Sequence, residues 1–326
     1  MRIEIYKPNW HTVFRGIDNS KVFVNPEVVN LCKCLSMQHE VLLLSPSDLE
    51  ETNNLRKGSP SQFSDRRILL NGRLYFKDNY EENEQVQREI DVVRSFFGGD
   101  GVPQFHFVTD LKIMQRNASA INNLDLKVVS QSPIVGNYGA LERLFLFQNK
   151  QRPTPLQGRK GSLIYVGNER GGERNDLVEE YLLRNDVDIN LFGNWKKNSV
   201  VNFSGFRGGL EFRKVPQTLS QYKYALTISD IEYRRLNFVT PRPYEHILSG
   251  CVNFIDVNYD REDLVPKHSF TIVSNGEELR DKIKYLESCP KRAQEIADAQ
   301  FSEVEKRGYL KDECMLTKLN NVLRLE

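Results

Sequence analysis

Residues 224–256 read YALTISDIEYRRLNFVTPRPYEHILSGCVNFID, and this stretch decides the fold class. An apolar run (YALTIS) leads into a polar loop, then to Arg242 and Glu245 at the mouth of a helix, then to a second apolar run (VNFID). Strand, helix, strand in this order is the repeating unit of a parallel sheet. An arginine and a glutamate three residues apart at a helix start suit an anionic ligand that also carries hydroxyls. A helix N-terminus favours phosphate, and an arginine fork grips two of its oxygens. A carboxylate accepts hydrogen bonds from vicinal hydroxyls such as those of a ribose. The stretch therefore points to a nucleotide-diphosphate site in an α/β domain.

The same alternation runs outward in both directions. RIEIY (2–6) and HEVLLLS (39–45) read as strands, and PEVVNLCKCLSM (26–37) between them sets Val28, Leu31, Cys32 and Leu35 at helical spacing. Residues 46–66 are polar and read as a surface loop. RILLN (67–71) and QFHFVTD (104–110) are further strands, and EQVQREIDVVRSFF (84–97) is an amphipathic helix closed by Gly98 and Gly99. NKQRPTPLQGRKG (149–161) breaks the pattern with proline, glycine and basic residues, and the domain boundary is placed there. A second series follows: SLIYVG strand, RNDLVEEYLLRN helix, DINLFG strand, the stretch quoted above, SFTIVS (269–274) as a last strand, and two helical stretches. The expected domains are 1–150, 151–305, and a C-terminal helix at 306–326 that packs back on the first.

Composition bounds the function classes. The chain has 326 residues, 39% hydrophobic and 27% charged, with a net charge of +1. That suits a folded protein of two ordinary domains, and gives no global positive charge of the kind many nucleic-acid binders carry. The longest apolar runs, such as VLLL (41–44), are too short to span a bilayer, and MRIEIYKPNW holds no secretory h-region. Cys32, Cys34, Cys251, Cys289 and Cys314 show no zinc spacing or disulfide framework, so reduced thiols in a cytoplasm are expected. The five histidines are isolated, and no metal-ligand cluster is seen.

Four further places hold candidate chemistry. In YVGNERGGERNDL (165–177), Gly167, Gly171 and Gly172 permit close backbone approach, while Arg170 and Arg174 offer charge to a pyrophosphate. Such a loop, taken alone, is more often a helix start with a solvated basic face; beside Arg242 and Glu245 on another βα turn of the same domain, the pyrophosphate reading is preferred. Asp110 ends the HFVTD strand, where aspartates commonly cap a turn, or where one serves as general base. Glu27 sits in a first helical turn, which suits a glutamate anyway. Asp230 and Tyr233 follow YALTIS, within reach of a bound sugar.

On these residues the chain resembles the T-even phage DNA β-glucosyltransferase family, which has the GT-B fold. The family's YGGSxRSGQR is similar to YVGNERGGER (165–174), its xFFGN strand end to NLFGN (190–194), its GDxxYxxxFxTLRxWE to SDIEYRRLNFVTPRPYE (229–245), and its LFTD to FVTD (107–110). The similarity is collinear over most of the chain. It implies two Rossmann-like domains whose parallel sheets face a central cleft, with 1–150 on the DNA (acceptor) side and 151–305 holding the donor. It implies that Arg170, Arg174 and Arg242 bind the diphosphate of a UDP-sugar, that Glu245 holds the ribose, and that Gly167 lets the loop approach the phosphates. The backbone around Val215 would meet the uracil, with Asp230 and Tyr233 at the sugar end. Asp110 would be the catalytic base, with Glu27 and Lys112 as accessory residues. The resemblance also leaves room for a divalent cation, Mg or Mn, near the pyrophosphate, although no ligand cluster announces one here.

The implied activity is inverting transfer of a sugar, glucose or a pentose such as arabinose, to the hydroxymethyl group of a flipped-out 5-hydroxymethylcytosine or 5-hydroxymethyluracil in double-stranded DNA. The implied setting is the cytoplasm of a phage-infected bacterium, with no membrane partner. Two alternatives stay open: a GT-B glycosyltransferase with a carbohydrate, lipid-linked or protein acceptor, and a non-catalytic nucleotide-sugar or DNA binder. The chain departs from the family pattern in Pro241 and Pro243 around Arg242, and in Lys112 where the family has arginine.

Overall fold

The computed structural model describes residues 1–6, 26–44, 64–70, 102, 104–108, 127–130, 141–143, 153–159, 161–184, 186–211, 214–235, 238–259, 265–308 and 310–325. They divide into two compact units: Met1–Leu146 together with Lys311–Glu326, and Phe147–Leu310. Asp110, Lys112 and the helix expected at 84–97 lie outside the described residues. Glu27 is placed through its backbone alone.

In the first unit the described strands are β1 (Arg2–Tyr6), β2 (Glu40–Leu44), β3 (Arg66–Leu70), β4 (Gln104–Val108), β5 (Lys127–Ser130) and β6 (Leu141–Arg143). All are parallel, in the order β2-β1-β3-β4-β5-β6. Helix α1 (Pro26–Leu35) joins β1 to β2, and Leu31 and Leu35 are fully buried. A parallel sheet covered on both faces needs near-continuous apolar strands, and Ile3, Ile5, Ile68, Leu69, Phe105 and Phe107 meet that demand. Glu4 and Arg67 are the exception. They are register partners on β1 and β3, both fully buried, with Arg67 Nε 3.8 Å from Glu4 Oε2. β5 and β6 lie outside the sequence reading because KVVS and LER are too short for an alternation to declare itself.

The second unit holds β7 (Gly161–Val166), β8 (Ile189–Phe192), β9 (Tyr222–Thr227), β10 (Val252–Asp256) and β11 (Ile272–Val273), parallel in the order β11-β10-β9-β7-β8. From β7 the chain moves outward to β8, then crosses back to lay β9 on the other side. The carboxyl ends of β7 and β9 therefore form a topological switch point, the place where open α/β sheets bind ligands. Period-two alternation splits β7 between two layers. Leu163 and Tyr165 pack with Tyr181, Ile283 and Ile296, whereas Ile164 and Val166 pack with Val215 and Leu219.

The helices of this unit are α2 (Gly172–Val178), continued by a π turn at Glu179–Leu183, α3 (Asn198–Val201), α4 (Val215–Leu219), α5 (Ile231–Arg235), α6 (Arg242–Leu248), α7 (Gly276–Ser288) and α8 (Pro290–Lys306). The π turn brings the Tyr181 hydroxyl 2.7 Å from Asp256 Oδ2, and burial pushes that phenol's pKa up. Two sequence expectations need correction here. Three helices, not two, end the chain, because Pro290 starts a new helix after Cys289, and α9 (Asp312–Leu323) follows. SFTIVS is a strand only at Ile272–Val273, its first half being a 3₁₀ turn over Ser269–Thr271.

Helix α9 belongs to the first unit. Arg66 closes its end, donating from Nε to the Leu323 carbonyl at 2.9 Å and from Nη2 to that of Arg324 at 2.7 Å. His39 Nε2 lies 3.1 Å from Asn320 Oδ1. All five cysteines are free thiols, and Cys32, Cys34 and Cys251 are buried. No helix among the described residues is long and apolar enough to cross a membrane.

The buried pair gives a direct test. Removing one partner breaks a fully buried ion pair, so Glu4→Ala is expected to cost about 3–5 kcal/mol in urea denaturation. Replacing both, Glu4→Leu with Arg67→Met, is expected to cost far less, because the desolvation penalty disappears with the charges.

Candidate functional site

The site grows from the end of β7. Gly167 follows Val166 directly; its N–H donates to the Phe192 carbonyl at 2.9 Å, and its own carbonyl accepts from the Trp195 indole at 2.7 Å. Gly193, with φ 151°, lies so close that a Cβ there would stand 2.0 Å from the Gly167 oxygen. The loops after β7 and β8 are zipped further by Glu169 N–H to the Asn194 carbonyl (3.0 Å), Asn194 N–H to Asn168 Oδ1 (2.9 Å) and Lys196 N–H to Glu169 Oε2 (2.8 Å). Gly167 has its own reason to lack a side chain: a Cβ would sit 2.4 Å from the Arg174 guanidinium.

Gly171 (φ 79°) and Gly172 (φ 57°) turn the chain into α2 through left-handed conformations that favour glycine. No side chain caps this helix. Buried Asn175 instead reaches back, its Oδ1 accepting from the N–H groups of Arg170 (3.3 Å) and Gly171 (3.2 Å). Arg174 extends along the loop, donating to the Asn168 carbonyl at 2.8 Å and to the Tyr165 hydroxyl at 2.7 Å. Arg170 is exposed.

The second wall follows β9. Ser229 is 4% exposed, and its hydroxyl finds no hydrogen-bond partner among the described residues. The half-buried Asp230 starts α5, its carbonyl accepting from Arg234 N–H at 3.0 Å. Tyr233 meets Phe238 edge-on, centroids 5.4 Å apart. The segment expected as plain loop thus contains a short helix. Thr240 is held by Tyr259, whose hydroxyl lies 3.1 Å from its N–H and 3.0 Å from its Oγ1. Arg242 then opens α6 with Pro241 and Pro243 on either side, positions where a missing N–H costs nothing. Its Nη1 is 2.6 Å from Glu245 Oε2, and the two side chains are 25% and 12% exposed. An ion pair across this wall joins Arg234 to Glu173 on α2.

Val215 starts α4, 2% exposed and packed among Ile164, Val166 and Ala225, so its side chain serves the core. Beneath α6 lies a polar network. Asn253 Oδ1 accepts from Thr227 Oγ1 at 2.8 Å and lies 2.9 Å from His246 Nδ1, and Gln300 brackets the Asn253 backbone at 2.9 and 3.0 Å. Burial, with the Arg242 charge, lowers the His246 pKa to about 3, so the ring is neutral. Sequence reading missed Trp195, Asn175, Ser229 and the Arg234–Glu173 pair. Of these only Trp195, one of two tryptophans and two residues past Gly193, carried a usable signal.

Known proteins share parts of this sequence and its fold. A family model described as glycosyl transferase-like matches residues 174–312. The DNA β-glucosyltransferase of Enterobacteria phage T4 is 28% identical over 151 residues, 44% of this chain; the match spans 43% of that relative's length. Among solved structures, T4 phage β-glucosyltransferase crystallised in the presence and absence of uridine diphosphoglucose aligns at TM-score 0.73, with 19% identity and all of both chains covered. The fold is GT-B. The T4 enzyme in complex with UDP and Mn2+ aligns at TM-score 0.70, 19% identical and again over the full length of both. Anabaena HepE in complex with UDP and glucose aligns at 0.62, with 10% identity over 99% of each chain. The chain thus resembles the T-even phage DNA β-glucosyltransferases, as its motifs suggested.

The His246 environment sets a pH dependence. The unfolded histidine takes up a proton below about pH 6.5, while the folded one stays neutral down to about 3. Stability is therefore full above that upper value and falls as pH drops through the window, with a slope approaching about 1.4 kcal/mol per unit. Urea midpoints measured between about pH 4.5 and 7.5 are expected to show the decline, and His246→Leu is expected to flatten it.

Proposed function

We propose that the chain is an inverting glycosyltransferase that moves a sugar from a UDP-sugar to the hydroxymethyl group of a 5-hydroxymethylpyrimidine in double-stranded DNA. The observation that carries this reading is the switch-point cluster: Arg170 and Arg174 after β7, Asp230, Tyr233, Arg242 and Glu245 after β9, on two loops that an ion pair bridges. The 28% match to a phage DNA β-glucosyltransferase supports the DNA acceptor.

In this mechanism the three arginines receive the diphosphate, which takes the place of the internal partners that Arg174 and Arg242 now hold. Glu245, released from Arg242, accepts from the ribose hydroxyls. The backbone around Val215 meets the uracil, and Gly167 keeps the loop low enough for the phosphates. Asp230 and Tyr233, with the orphan Ser229 hydroxyl, face the sugar. Asp110 takes the proton of the acceptor hydroxyl as that oxygen attacks the anomeric carbon. The bond from that carbon to the diphosphate breaks, UDP departs with the electron pair, and the single displacement inverts the centre. Glu27 and Lys112 support the acceptor side. The base is flipped outward to expose its hydroxymethyl group, at a cost of a few kcal/mol in stacking. In this reading the enzyme works in the cytoplasm of a phage-infected bacterium.

A divalent ion, Mg or Mn, would ride on the pyrophosphate. Among the described residues no group of three His, Cys, Asp or Glu side chains forms a metal site, so no step is assigned to it.

A second reading keeps the donor and changes the acceptor. HepE, solved with UDP and glucose, shares the fold at TM-score 0.62, so the fold alone does not select DNA.

Mass spectrometry of nucleosides from 5-hydroxymethylcytosine and 5-hydroxymethyluracil DNA, incubated with the protein and a panel of UDP-sugars, separates the readings. A hexose or pentose mass shift on one base is expected; unmodified DNA together with UDP-sugar binding would favour the second reading. Arg242→Ala is expected to weaken UDP binding about ten- to hundredfold, the range for one charge-assisted hydrogen bond. Asp110→Ala is expected to keep UDP affinity and lose turnover; undiminished turnover would remove Asp110 from the mechanism.

A further inference from the structure

Three arginines and one carboxylate lie close together where the β7 and β9 loops meet: Arg170, Arg174 and Arg234 with Glu173. Glu173 is next to Arg174 in sequence and three residues from Arg170, so its charge sits where a diphosphate would bind under the reading above. A carboxylate there would attract both arginines and repel the ligand. It pairs with neither. Its partner is Arg234, from α5 on the opposite loop. Arg234 is 11% exposed and Glu173 44% exposed, so the cation comes from the buried side and the carboxylate is drawn toward it. Meanwhile Arg174 donates only to neutral groups, the Asn168 carbonyl and the Tyr165 hydroxyl, and Arg170 forms no ion pair among the described residues.

We propose that Arg234 is a positioning residue of the donor site that acts by holding and neutralising Glu173, which leaves Arg170 and Arg174 as uncompensated cations for an incoming nucleoside diphosphate. The inference rests on the donor-site reading. It adds a residue that touches neither ligand nor reacting atoms, and it assigns a purpose to a glutamate placed between two phosphate-binding arginines. Without Arg234, Glu173 turns to Arg174 or Arg170 and competes with the ligand. Without Glu173, the need for Arg234 disappears. A simple tether between loops behaves differently, because it fails when either end is cut.

The test is calorimetric titration of UDP into the full chain and its variants, with melting temperatures recorded alongside. Arg234→Ala is expected to weaken UDP about fivefold, the size of one partly screened charge. Arg234→Gln, which keeps a hydrogen-bond donor for Glu173 without the charge and preserves most of the packing, is expected to do the same, and carries the test if the alanine variant does not fold. Glu173→Gln is expected to bind UDP no more weakly than the parent, and the double variant Arg234→Gln with Glu173→Gln to return within about twofold of it. If the double variant stays as weak as Arg234→Gln, or if Glu173→Gln weakens UDP as much, Arg234 is a ligand contact or a tether and the proposal is overturned. An unchanged affinity in both Arg234 variants overturns it too. Arg242→Ala is the control: if it and the Arg234 variants all leave UDP affinity untouched, the donor-site reading itself has failed, whereas an effect of Arg242→Ala alone removes only this inference.

Discussion

The carbonyl of Gly167 is the point from which the candidate site is hung. It receives the Trp195 indole from one side and the bare α-carbon of Gly193 from another, while the Gly167 N–H is taken by Phe192. Those contacts fix where β7 ends and in which direction the following loop leaves. The placement of Arg174 follows, since its guanidinium lies in the space a Gly167 side chain would fill. The start of α2 follows in turn, because Asn175 binds the Arg170 and Gly171 amides only if the loop has taken that course. A small error at one peptide would thus spread to every cation on this wall.

The opposite wall is set by different means. Buried polar groups beneath α6, His246, Asn253, Thr227 and Gln300, lock that helix to β9, β10 and α8. Such networks specify a unique register because the low dielectric makes a misplaced donor expensive. Tyr259 extends the control to Thr240, two residues before Arg242. One wall is therefore steered by glycine sterics and the other by hydrogen bonding, and the charges of Arg234 and Glu173 meet between them.

What was legible in the sequence was local. The strands RIEIY, HEVLLLS, RILLN, SLIYVG, DINLFG and VNFID announce themselves by apolar runs, and the glycine–arginine loop is contiguous in YVGNERGGER. Strand order was not legible, since β9 beside β7 depends on a crossover that no periodicity records. Nor was the Arg234–Glu173 pair, whose members are far apart in sequence and surrounded by other charges. The strand within SFTIVS was overestimated because β-propensity does not see the 3₁₀ turn that His268 initiates. Pro290 was the missed signal for a third terminal helix, since a proline in a helical pattern is as often a start as a break.

The placement of α9 has a consequence for synthesis. The first unit is made of the first 146 residues and the last sixteen, Lys311–Glu326, whereas the second is continuous. A ribosome delivers the chain from its N-terminus, and domains generally fold as they emerge. The earlier-made unit must therefore wait, its α1 face and the edge at Arg66 uncovered, while the later-made unit is completed. Only when Leu323 has left the exit tunnel can Arg66 find the helix end it closes. The order of translation and the order of completion are opposite, and a helix made after the whole second unit is the one that finishes the first sheet begun.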